Sequence, residues 1–112
     1  MAIVIGSNIT LSTGAYTKTA NLITGRNQFL QKGRLQVIML GSAIGQNLSV
    51  SIGGVPLCDD QVCPYTGTTG TLIAKDHIMI DQVIAGGTAE MYIRNTTDSA
   101  LTSDYIVYFT PM

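Results

Sequence analysis

The segment Ile78–Asn95, IMIDQVIAGGTAEMYIRN, consists of two alternating apolar and polar runs separated by Gly86-Gly87. A Gly-Gly pair supplies the positive φ angles of the tight turns that join antiparallel strands, so the segment is predicted to be a two-residue β-hairpin. In that register Ile84 lies opposite Ala89, and Ile80 lies opposite Ile93. The alternation predicts that one face is buried, with these side chains turned to the core: Ile78, Ile80, Ile84, Met91 and Ile93.

A second Gly-Gly pair, Gly53-Gly54, separates Val50–Ile52 from Val55–Leu57 and predicts another hairpin. The run Arg34–Leu40 becomes continuously apolar, which is typical of a central strand covered on both faces. Further strands are predicted at 2–5, 9–13, 71–74 and 105–109, with a turn at 6–8 and a loop at 59–70. About eight strands at spacings of roughly ten residues predict a single all-β domain over residues 1–112. The fold class is an antiparallel β-sandwich, jelly-roll-like, with a small Greek-key β-barrel as the alternative.

Residues 14–33 fit the strand pattern least well. Tyr16, Ala20 and Ile23 have helical spacing, whereas the glycines and the abundant Thr and Asn favour strand and loop. We predict an extended arm or an irregular strand. The segment concentrates basic side chains, so it is the candidate contact region of an assembly, with four interface residues: Tyr16, Lys18, Arg26 and Lys32.

The composition points to a surface with little charge. Apolar residues make up 46% of the chain and charged residues only 12%, about half of the ~25% typical of globular proteins. Such a surface suits permanent packing against neighbouring subunits. The six basic residues are outnumbered by seven acidic ones, which argues against nucleic acid as a partner. The apolar runs are far shorter than the ~20 residues of a membrane span, and no export signal precedes them.

The side chains that could take part in catalysis or metal binding form no familiar catalytic pattern. His77 is the single histidine, and its neighbours Asp76 and Asp81 are poorly placed along a strand to act as its partner. Cys58 and Cys63 have a C-x4-C spacing with no second Cys/His pair, unlike a zinc knuckle. We therefore predict no enzyme activity, no cofactor, no metal and no small-molecule substrate. Cys58, Cys63 and His77 are the residues that a metal would use, and two reduced thiols or a disulfide closing a small loop are the alternatives.

The chain resembles small all-β virion proteins of bacterial viruses. The resemblance lies in Ile78–Thr97, with its turn Arg94-Asn95-Thr96-Thr97, and in the closing strand within Ala100–Phe109. It covers the C-terminal third to half of the sequence and rests on pattern and turn residues. It implies a capsid, cement or decoration subunit of jelly-roll type, made in the host cytoplasm without a signal peptide and located in the virion. Its implied partners are copies of itself, with a trimer as first choice, and other capsid proteins.

A second class of function is a carbohydrate-binding module, because β-sandwiches present sugar sites on a concave face or a loop rim. Sugar stacking uses exposed aromatic planes. The chain has no Trp, and only Tyr16 and Tyr65 are predicted to lie in loops.

Overall fold

The structure, a computed structural model, describes residues 2–65 and 77–112, with the backbone alone for Ile9 and Thr10. Within this part the chain is all-β, as predicted, and forms two four-stranded antiparallel sheets. The predicted strand at 71–74 lies outside the described residues. The strands are β1 (Ile3–Thr13), β2 (Phe29–Leu30), β3 (Gly33–Gly41), β4 (Gln46–Ile52), β5 (Val55–Val62), β6 (Ile78–Ile84), β7 (Gly87–Asn95) and β8 (Leu101–Pro111), and a 3-10 turn, Gly25–Gln28, precedes β2.

The strand order shows how the chain is wound. The first sheet has the order β1-β8-β3-β6 and the second has the order β2-β7-β4-β5. The first strand therefore pairs with the last, the second with the seventh, the third with the sixth and the fourth with the fifth. The chain is one long antiparallel ribbon whose successive segments fall alternately in the two sheets. This is the winding of a jelly roll, which confirms the predicted sandwich over the barrel.

The tip of the ribbon is the hairpin predicted at Gly53-Gly54. Ile52 pairs with Val55, and the two glycines between them have φ angles of 58° and 82°. Both angles are left-handed, as a two-residue turn that matches the twist of the flanking strands requires.

The hairpin predicted at Gly86-Gly87 is wrong. β6 pairs with β3 in the first sheet, whereas β7 pairs with β2 and β4 in the second. The prediction that the side chains point to the core is nevertheless right for four residues, which are buried, and wrong for Ile78, which is exposed. The four are Ile80, Ile84, Met91 and Ile93. Strands that face each other across a core show the same alternation as strands that are neighbours in a sheet. The Gly-Gly pair here carries the chain from one sheet to the other.

Gly87 is held against the tip of the ribbon. Its φ is 140°, and a Cβ atom built on it would lie 2.8 Å from the Cα atom of Gly53. Real Cβ atoms do not approach backbone this closely, so only glycine fits where the sheet crossover meets the β4–β5 turn.

We expect Gly87→Ala to destabilise the fold by about 2–4 kcal/mol, because it adds a backbone clash to an unfavourable φ angle. Gly25→Ala is the matched control, since Gly25 also has a positive φ but has open space around its Cβ position. Urea unfolding followed by circular dichroism measures both changes. Equal losses for the two variants would contradict the close approach.

The predicted turn at 6–8 is also wrong, because β1 continues through it from Ile3 to Thr13. Its register against β8 shifts between Val4 and Gly6 and again between Asn8 and Leu11. Such bulges accommodate a glycine and polar residues without ending a strand.

The core lies between the sheets and is formed mainly by the four central strands. Val37 and Met39 of β3 are fully buried in it. Ile38 and Leu40 point to the opposite face of the same strand and are buried as well, which confirms the prediction of a strand covered on both faces. The other fully buried apolar side chains of the central strands are Leu35, Leu48, Val50, Ala89, Met91, Ile93 and Val107.

Much of residues 14–33 lies along β7 as an irregular strand. The backbone N–H of Thr19 donates to the Ile93 carbonyl over 3.0 Å, and that of Leu22 donates to the Met91 carbonyl over 2.9 Å. Side chains complete the pairing, because the Met91 N–H donates to Asn21 Oδ1 over 2.9 Å. Ile23 then enters the core and is fully buried. The segment thus covers the part of β7 that the two-residue strand β2 leaves open.

Asn95 ties together one end of the sandwich. Its fully buried side-chain amide donates to the carbonyl oxygens of Thr13 (3.0 Å) and Ser99 (2.7 Å). Its Oδ1 accepts from the backbone N–H (2.9 Å) and the hydroxyl (2.7 Å) of Thr97. The amide therefore joins the end of β1 to the turn between β7 and β8.

Among the described residues, no helix has the length and apolarity needed to cross a membrane.

We expect Asn95→Ala to cost about 2–4 kcal/mol of unfolding free energy, because it leaves buried partners of the amide without hydrogen bonds. Thr13→Val is the control, since the Thr13 hydroxyl is buried and has no hydrogen-bond partner among the described residues. Removing that hydroxyl is expected to be neutral or stabilising. Chemical denaturation of both variants measures the difference, and a larger loss for Thr13→Val would contradict this account of the cluster.

Candidate functional site

The two cysteines lie far apart on the same edge of the second sheet. Cys58 sits inside β5 opposite Val50, and the backbone N–H of Cys63 donates to the Gln46 carbonyl over 3.1 Å. Since Val50 and Gln46 are four residues apart on β4, the cysteines are separated by about 13 Å. A disulfide requires Cα atoms within roughly 7 Å, and both thiols are free. The start of the predicted 59–70 loop, through Val62, belongs to β5.

Burial makes both thiols poor nucleophiles and poor metal ligands. It raises the pKa of Cys63 to about 11 and raises the pKa of Cys58 as well. His77 stands at the start of β6, where its carbonyl accepts a hydrogen bond from the Met39 N–H over 3.1 Å. Within residues 2–65 and 77–112, no three His, Cys, Asp or Glu side chains gather to hold a metal. Asp76 lies outside the described residues.

We expect Cys63 to react slowly with a disulfide reagent at pH 8 in the folded protein, because its thiol is buried and protonated. The variant Cys58→Ser isolates this reaction, and Cys63→Ser reports the half-buried Cys58 in the same way. Both thiols should react fully in urea. Rapid labelling of folded Cys58→Ser would contradict the burial of Cys63.

Two ion pairs occupy the outer faces of the sandwich. Arg34 donates from Nε and Nη2 to the two carboxylate oxygens of Asp81, each over 2.7 Å, and Arg94 makes a similar two-pronged contact with Asp60. Hydrogen bonding from the arginine lowers the pKa of each aspartate. The stabilisation is therefore present at neutral pH and is lost as acid protonates the carboxylates. Exposed pairs contribute little to stability, but they neutralise two of the acidic groups.

The four predicted interface residues do not form one patch. The Tyr16 N–H donates to the Thr97 carbonyl, and the Lys18 ammonium lies 4.4 Å from the centre of the Tyr92 ring, so both are near the end of β7. Arg26 and Lys32 flank β2, which pairs with the first residues of β7. The two groups are therefore separated by roughly 20 Å along the strand.

The structure instead shows an apolar groove where β5 and β6 form one lateral side of the sandwich, here called the β5–β6 edge. The groove has a volume of about 240 Å³ and is lined by Val55, Leu57, Val83 and Ile84, among others. Val55 is 62% exposed and Val83 is 55% exposed. The sequence held one signal of this surface, because the predicted alternation places Val83 on the outward face of β6 beside Asp81.

A second groove lies on the opposite side, where β1 meets β2, here called the β1–β2 edge. It has a volume of about 260 Å³, and Ile3, Phe29, Arg26 and Pro111 are among the residues that line it. Phe29 is 72% exposed and Ile3 is 47% exposed. Alternation did not reveal this surface, because β2 has only two residues and Phe29 belongs to the irregular segment.

Comparison with known proteins identifies no family for this chain. No protein-family model matches the sequence, and no curated protein matches it significantly. The strand order and register define the chain as a two-sheet jelly-roll sandwich with an apolar groove at each lateral edge.

Proposed function

We propose that this chain is a structural virion protein, a small capsid, cement or decoration subunit that acts through protein–protein interfaces. The observation that carries the proposal is the pair of apolar grooves on opposite lateral edges of a jelly roll. The resemblance to virion proteins of bacterial viruses supports the same assignment.

The most exposed apolar side chains of the two grooves belong to strands. Phe29, Val55 and Val83 are each more than half exposed, and each belongs to an edge strand. Contiguous apolar surface on a folded domain marks a site of protein interaction. Charged residues are only 12% of the chain, so there is little charge to keep copies apart.

The shape of β5 favours contacts through side chains over addition of another strand. Pro56 has no backbone N–H to donate, and Asp60 has a left-handed φ of 54° within an irregular register against β4. Prolines and bulges of this kind protect an edge strand against continuous pairing with another chain. The β5–β6 edge can therefore pack against a partner without extending the sheet.

We expect the purified protein to form a defined oligomer at micromolar concentration, and Phe29→Ser and Val83→Ser each to weaken it by at least tenfold, because each removes apolar contact area. Ile44→Ser is the matched control, since Ile44 is also exposed but lies in the connection between β3 and β4. Sedimentation velocity measures the change.

The virion assignment has its own test. The chain should band with intact particles in a density gradient, and electron microscopy should show it in symmetric copies on their surface. A protein that is monomeric at ~100 μM and stays at the top of the gradient would contradict the proposal.

Binding of carbohydrate is the second candidate. Tyr16 and Tyr65 are both exposed, and both lie at the end of the sandwich that contains Asn95. Exposed aromatic rings at a loop rim can stack on sugar rings. A glycan array distinguishes the candidates, because binding that is lost in Tyr16→Ala and Tyr65→Ala would favour the sugar module over the virion subunit.

A further inference from the structure

Charge is segregated along the sequence. All seven acidic residues lie at or after Asp59, whereas the preceding 58 residues carry four basic residues and no acidic one. The near-zero net charge of the whole chain hides this separation.

The jelly-roll winding turns the segregation along the chain into segregation across the molecule. It places β1 and β2 at one lateral edge and β5 and β6 at the other. Residues 2–32 carry only basic charges, and β5 and β6 carry only acidic charges. The basic residues are Lys18, Arg26 and Lys32, and the acidic residues are Asp59, Asp60 and Asp81.

Part of this charge is already neutralised inside the fold. Asp60 and Asp81 pair with Arg94 and Arg34, which belong to central strands. In the described part of the chain, Asp59 of the β5–β6 edge has no ion-pair partner, and neither does Lys18, Arg26 or Lys32 on the opposite side. Each edge therefore combines an apolar groove with charge that is available to a partner.

The two grooves lie at the same height along the strands. In the first sheet, Ile3, Phe109, Leu35 and Gln82 form one row from edge to edge. In the second sheet, Phe29 pairs with Thr88, while the adjacent Ala89 pairs with Ile52, which pairs with Val55. A second copy placed beside the first at equal height brings Phe29 and Ile3 to the level of Val55 and Val83.

The lateral edge is large enough for a stable contact. The molecule measures 39 × 26 × 21 Å, so the smallest side that contains its long axis is roughly 39 by 21 Å, about 800 Å². A standard protein–protein interface buries about 800 Å² on each partner.

We propose that the β1–β2 edge of one copy docks on the β5–β6 edge of a second copy, in a head-to-tail contact that joins the basic side to the acidic side. The inference rests on the proposed function and names the surfaces through which the subunit assembles. Because the two patches are at equal height, the contact adds no rise along the strands from one copy to the next. Such heterologous contacts close into a ring where neighbours are related by a rotation about an axis along the strands, and they form a straight row where neighbours are related by translation alone.

Charge reversal tests the polarity of the contact. β5 places Asp59 beside Ser49, which pairs with Tyr92, and Lys18 lies above the Tyr92 ring, so Asp59 and Lys18 are at the same height on opposite sides of the molecule. Lys18→Glu should raise the dissociation constant of the oligomer at least tenfold, and so should Asp59→Lys, because each places like charges face to face. The variant that combines both substitutions should recover most of the association, since its edges are again opposite in sign. Raising the salt concentration to about 0.5 M should weaken the wild-type oligomer.

Controls with the same change of charge lie away from the edges. They are Glu90→Lys, on the exposed outer face of the central strand β7, and Asp98→Lys, in the exposed turn after β7. Both should leave the dissociation constant within about twofold of wild type. Sedimentation velocity at several concentrations measures all variants, and circular dichroism checks their folding.

The outcomes separate this inference from the proposed function. If the wild type assembles but the edge variants assemble as well as the controls do, the head-to-tail contact is wrong and the structural role stands. If each edge reversal weakens assembly and the combined variant does not recover it, the pairing of opposite edges is wrong. If the wild type is monomeric and absent from particles, both proposals fail.

Discussion

Burial of the side chains between the two sheets is the interaction on which the rest of the structure depends. β8 and β3 are central in one sheet, β7 and β4 are central in the other, and their inward residues are almost completely removed from water. At about 25 cal/mol per Å² of apolar surface, this layer is the main stabilising term. To contribute to it, each successive segment of the ribbon must cross to the opposite sheet. The crossings leave β1, β2, β5 and β6 at the edges, where their outer side chains remain available.

The inward faces were more predictable than the partners of the strands. Alternation correctly placed Ile80 and Met91 in the core, because the period of two depends only on burial of one face. It could not show whether Gly86-Gly87 turns the chain back within a sheet or carries it across the core, since both need positive φ angles and a close approach. At Gly53-Gly54 the same Gly-Gly pair correctly predicts a hairpin. The difference between the two pairs depends on β3, far away in the sequence.

Residues 14–33 show no regular strand pattern in the sequence, for a different physical reason. Asn21 and Thr19 use side-chain oxygens to accept hydrogen bonds from β7, so the segment follows its neighbour without the alternation of an ordinary strand. The arrangement of the candidate interface residues and of the cysteines could not be predicted from local sequence either. The basic side chain Lys18 was recognisable in the sequence, but its place across the molecule from Asp59 follows from the strand order and register. Cys58 and Cys63 are close in sequence, but the extended β5 keeps them apart in space.

The pairing of β1 with β8 has a consequence for how the protein folds during synthesis. β8 inserts between β1 and β3, so the first sheet cannot form its central pairings until the last strand has left the ribosome. Until then β1 has no partner, and the chain exposes strands that can pair with other nascent chains. Contacts between residues so distant in sequence also slow folding. The local β4–β5 hairpin can form early, and the ribbon then closes outward from it, with the terminal strands last.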